Sequence, residues 1–62
     1  MTEEMKKMIM SRIQEEETDI DTYMRMSEEA MEHGMDHCAG VLCDIKHDEM
    51  SHVKHLKELM EE

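Results

Sequence analysis

The chain has 62 residues and a formal charge of −10, with no proline, two glycines and a single aromatic residue. An acidic surface repels phosphate backbones and anionic lipid headgroups, which argues against nucleic acid and membrane surfaces as partners and suits a protein that attracts cations. No stretch approaches the roughly 20 apolar residues of a membrane span. No apolar run follows the charges of Met1–Lys7, and two cysteines without an export signal are expected to be reduced thiols in a cytoplasm.

Residues 1–62 make one small domain, and a core this short rarely stabilises itself without disulfides, a metal or oligomerisation. Glu, Met and Lys dominate, all of them good helix formers, so the expected fold class is all-α. Thr2 is placed to cap a first helix running from about residue 3 to about 33, with Glu3 and Glu4 at the positive end of its dipole. The break falls at His33-Gly34-Met35-Asp36, where Gly34 suits the left-handed position after a helix and the Asp36 carboxylate can cap the next one. The second helix is expected over about 37 to 60, with Lys54 and Lys57 near its negative end. Gly40 is its one poor helix residue, at a cost of up to about 1 kcal/mol.

Each helix carries an apolar stripe at helical period. On the first it is Met5, Ile9, Ile13, Ile20, Tyr23, Met24, Ser27, Ala30 and Met31; on the second, Cys38, Val41, Leu42, Ile45, Val53, Leu56, Leu59 and Met60. Two such helices joined by a short turn form an antiparallel hairpin, which buries only part of each stripe. Two hairpins together close the core as a four-helix bundle, so a homodimer, or a higher oligomer built from dimers, is expected.

The informative positions interrupt these stripes. Glu16 sits between Ile13 and Ile20, and Glu49 between Ile45 and Val53, with His52 one turn further at the stripe's edge. Folding the chain near residue 34 or 35 pairs positions whose numbers add to about 69, which sets Glu16 opposite about Val53 and brings Glu49 and His52 within about one helical turn of it. A buried carboxylate must be paired, protonated or bound to a metal. No cation occupies the centre of either stripe; the nearest is Arg12, one turn before Glu16 and towards the edge. Two-fold pairing of hairpins would gather four Glu and two His, the donor inventory of di-iron carboxylate bundles. Such donors suit iron and manganese, with zinc an alternative.

Glu16, Tyr23 seven residues on, and Asp48-Glu49-Met50-Ser51-His52, with the two Glu 33 positions apart, resemble the first half of a rubrerythrin-type ferritin-like domain. With two helices instead of four, the chain is also similar to half-length ferritins, such as the encapsulated ferritins, whose dimers regenerate the bundle. The resemblance implies iron ligation by Glu16, Glu49 and His52, with two irons per dimer. It also implies a Tyr23 phenol hydrogen-bonded near the site, and oxidation of Fe(II) by dioxygen or peroxide. The ligation expected is Glu16 and His52 of one hairpin on each metal, with the two Glu49 carboxylates bridging. Cys38 and Cys43 form no Cys-x-x-Cys pair, so the electron-donating tail of a rubrerythrin is missing and any electron donor would be external. The family's extra carboxylate is missing too, and Asp19, one turn after Glu16, is the residue placed to substitute.

Plainer readings compete with these. A surface Glu and a routine Glu-x-x-His would present the same letters, and Tyr23 suits an ordinary core. The ten methionines read as adaptable core filler. His33, His37, His47 and His55 lie near the turn or off the inner stripe, where solvation is expected, and Cys43 with His47 forms an i, i+4 pair fit only for an adventitious metal. Cys38 reads as a small inward residue; it and Cys43 lie about 140° apart around the helix, which disfavours a disulfide. For function, two alternatives stand beside an oxidoreductase: a divalent-metal binding or iron-carrier protein without turnover, and a structural helical hairpin that pairs with another chain.

Overall fold

The computed structural model describes residues 1–62 as two helices, α1 (Glu3–Glu32) and α2 (Asp36–Met60), folded back on each other as an antiparallel hairpin with no strand. α1 starts where Thr2 turns the backbone from extended (φ −72°, ψ 157°) to helical, its hydroxyl accepting the Met5 N–H at 3.1 Å. α1 ends at His33. Gly34 follows in the left-handed region at φ 70°, its N–H donating to Met31 C=O at 3.0 Å, while Met35 N–H donates to Ala30 C=O at 2.9 Å. This pair of bonds is a Schellman cap.

One expectation at the turn is corrected. Met35, not Asp36, occupies the N-cap of α2, and it makes no side-chain cap bond. The Schellman geometry consumes Gly34 and Met35 so quickly that Asp36 is already helical. Its carboxylate therefore acts as a negative charge in the first turn, favourable with the helix dipole.

The two helices meet along one narrow seam. Near the turn, Ala30 and Ala39 are small enough for close approach, and Ser27 Oγ donates to the Ala39 carbonyl across it at 3.1 Å. Further along the seam lie Ile13 (3% exposed), Glu16 and Val53. Lys57 Nζ reaches Glu17 at 3.5 Å on the surface. These pairings agree with a fold point near residue 34.

Only five of 62 residues are buried, and no side chain is fully enclosed. The stripes are thus much less covered than their apolarity would suit. Met5, Met24, Met31, Val41 and Leu59 are all exposed, because a helix with one neighbour can cover only one line of side chains. The overall dimensions say the same. The hairpin extends 48 × 14 × 10 Å with a radius of gyration of 14.4 Å. A compact domain of this length would have about 10.6 Å. A compact chain of this mass exposes about 4,200 Å²; this one exposes 4789 Å². No helix is long and apolar enough to cross a membrane.

Candidate metal centre

Three acidic and imidazole side chains converge near the middle of the hairpin. Glu16 comes from α1, where the helical period carries the seam through Ile13, Glu16 and Ile20. Glu49 and His52 come from α2 at i, i+3, which places them on neighbouring turns of one face. One donor atom from each of Glu16, Glu49 and His52 lies within 4.8 Å of the other two. His52 Nδ1 stands 3.8 Å from Glu16 Oε1 and 3.8 Å from Glu49 Oε1.

Burial is graded across the three. Glu16 is 6% exposed, Glu49 is half-buried, and the His52 side chain is 55% exposed. The cluster therefore has a carboxylate floor inside the seam and an imidazole at its open edge. Glu16 Oε2 is buried and has no hydrogen-bond donor. A carboxylate oxygen in that position carries a desolvation cost with nothing to offset it, and each such atom calls for a partner. A divalent cation held at the other oxygen, Oε1, which faces His52, would offset the burial of the carboxylate as a whole. Metal bonds of about 2.0–2.2 Å let one ion span donors up to about 4 Å apart; the two carboxylate–imidazole separations of 3.8 Å fall inside that reach, and the set as a whole lies within 4.8 Å.

The nearest permanent cation is Arg12. Its Nη2 lies 3.4 Å from Glu16 Oε1, while its Nη1 donates to Glu15 Oε2 at 2.6 Å. The Glu15 hydrogen bond, followed by the charge of Glu16, raises the guanidinium above its ordinary range against the opposing effect of desolvation, with lesser support from the charges of Glu15 and Asp19. Asp19 is half-buried, and that field is its one evident link to the site. The sequence located Arg12 as the nearest cation but gave no sign of Glu15, which sits on the exposed face next to Glu16 in the chain. An Arg-x-x-Glu-Glu pattern beside a stripe-breaking Glu is the signal that would have found it.

Of the residues singled out in the sequence, Glu16, Glu49 and His52 are brought together and Tyr23 is not joined to them. Tyr23 is half-buried two turns along α1 from Glu16, and its phenol hydrogen-bonds to none of the three. His33, His37, His47 and His55 are all exposed, and His33 Nε2 lies 3.0 Å from Glu29. Both cysteines are free and half-buried; Cys38 lines a shallow apolar groove beside the turn with Met26, Ala30, Met35 and Leu42.

The chain matches no protein-family model, no curated protein and no solved structure.

Proposed function

We propose that Glu16, Glu49 and His52 bind a divalent metal, iron in the first place, and that two hairpins pair into a ferritin-like four-helix bundle with a two-metal site at their interface. The single observation behind this reading is the buried Glu16 carboxylate, with one oxygen lacking any donor and the other facing a Glu-x-x-His pair. A structural hairpin gains nothing from that arrangement, since an apolar side chain in the same place would remove the cost. The homodimer rests on the uncovered stripes and on the surplus of exposed surface over a compact chain of equal mass. One hairpin supplies three donors, fewer than the four to six that transition metals take, and a second copy would double them.

In this reading Glu16 and Glu49 supply the negative charge that favours an oxidised metal, and His52 supplies an imidazole nitrogen. An iron pair, when bound, can pass two electrons to one molecule of dioxygen or peroxide. The chain's part is to hold the donors on two rigid helices, where their separation is set by packing. Fe(II) oxidation is the activity proposed, with any electron donor supplied from outside the chain.

Elemental analysis and the absorbance spectrum of protein purified without chelator test the site. Bound iron at about one per chain is expected. Absence of metal, together with no rise in thermal stability on adding Fe(II) anaerobically, would refute it. Light scattering is expected to show a dimer with metal bound, and a stable metal-loaded monomer would refute the shared site. Oxidation of loaded Fe(II) no faster than that of free Fe(II), and unchanged in Glu49→Ala, would leave a carrier and remove the enzyme.

A further inference from the structure

Arg12 is the one permanent cation in contact with the cluster, and the atom it touches matters. Its Nη2 faces Glu16 Oε1, the same oxygen that faces His52 Nδ1. That oxygen points into the donor set, whereas Oε2 is buried without a partner. The other end of the guanidinium is anchored on Glu15 at 2.6 Å, a much tighter contact than the 3.4 Å to Glu16. Both Arg12 and Glu15 are exposed, with room to move. The guanidinium thus bridges one carboxylate that is always available to it and a second that the metal would need.

We propose that Arg12 is a displaceable counter-ion for Glu16: it neutralises the carboxylate in the metal-free chain and withdraws onto Glu15 when a cation enters. This rests on the metal reading of Glu16, Glu49 and His52 and adds a regulation of that site. Arg12 occupies the charge that a metal brings, so it stabilises the empty hairpin and raises the metal concentration needed to load it. Glu15 keeps the displaced guanidinium solvated and paired, so the exchange strands no charge. Planarity matters, because a guanidinium presents separate donors to two carboxylates at once and an ammonium is a point charge.

The test is the affinity for Mn(II), a redox-silent probe for a carboxylate and imidazole site, read from the signal of free Mn(II) by electron paramagnetic resonance. Four proteins are compared at one protein concentration and low ionic strength: wild type, Arg12→Gln, Arg12→Lys and Arg25→Gln. Arg25 pairs with Asp21 at 2.9 Å and lies away from the cluster, so its Gln variant has the same net charge as Arg12→Gln without touching the site. Arg12→Gln is expected to bind Mn(II) roughly two- to fivefold more tightly, the range of an exposed ion pair. Arg12→Lys is expected to fall between it and wild type, and Arg25→Gln to match wild type. Chelator-treated Arg12→Gln is also expected to melt below chelator-treated wild type, so that the gain on adding Mn(II) widens. Unchanged or weaker binding by Arg12→Gln would overturn the proposal, as would equal effects of Arg12→Gln and Arg25→Gln, or an Arg12→Lys indistinguishable from wild type. Absence of Mn(II) and Fe(II) binding in all four proteins is a separate failure, that of the metal site itself.

Discussion

Replacing Glu16 by Met separates the cost of burying a carboxylate from its use. Met is unbranched, close in size, nearly equal in helix propensity and adaptable to an irregular gap. Glu16 is 6% exposed and its Oε2 has no donor. An unmet buried acceptor costs about 1–3 kcal/mol. The exposed contact with Arg12 offsets little of this. The metal-free variant is therefore expected to be more stable than wild type by about 1–2 kcal/mol, or on the order of 5–15 °C in Tm for a domain of this size. Metal reverses the order. An ion at about 100 times its Kd adds about 2.7 kcal/mol to a protein that binds it and nothing to one that does not. Helix melting followed by circular dichroism, with chelator and then with Mn(II) or anaerobic Fe(II), should show the two proteins exchange rank at equal chain concentration. Lower stability of metal-free Glu16→Met would refute the burial argument. A metal-induced rise in Tm that survives the substitution would refute ligation by Glu16.

Three further outcomes are expected. His52→Ala should leave the metal-free fold within about 0.5 kcal/mol of wild type, because an exposed side chain is removed, yet weaken Mn(II) binding by at least about tenfold in equilibrium dialysis. Gly34→Ala should destabilise the hairpin by about 1–2 kcal/mol in thermal melts. An added Cβ meets nothing within 4 Å, so the whole effect is the strain at φ 70°, and Gly34→Asn should lose less. Ile13→Ala, at the most buried residue of the chain, should cost about 2–5 kcal/mol, enough to leave the helical signal weak at room temperature unless metal is added.

The helices, the turn and the convergence of Glu16 with Glu49 and His52 were legible because each depends on periodicity. A seam repeats every 3.6 residues, so the carboxylate at the seam position between Ile13 and Ile20, Glu16, faces the partner helix wherever the turn falls, whereas Glu15 and Glu17 on either side of it are exposed. Gly34 fixed the fold point, and counting from it set the depth. What periodicity does not carry is local geometry. The choice of Met35 over Asp36 as N-cap turns on how many residues the Schellman cap consumes, and composition does not encode that count. The Arg12 contact depends on rotamers of two long side chains on an exposed face. The exposure of Met24, Met31 and Val41 shows the opposite case, in which the pattern of apolar residues describes more contact than one hairpin makes.

The place of the cluster along the rod has a consequence for its exchange with solvent. Helix ends open at little cost, whereas the middle of a packed pair opens only with the whole. Glu16, Glu49 and His52 lie at least about two helical turns from the ends of their helices, in a hairpin 48 Å long. Fraying of the outer turns therefore leaves the three donors in register, and a chain trimmed of its first and last turns would still present them together. In the single hairpin the open side of the cluster is the exposed imidazole of His52, so an ion binding there would enter from the side, without the ends having to open.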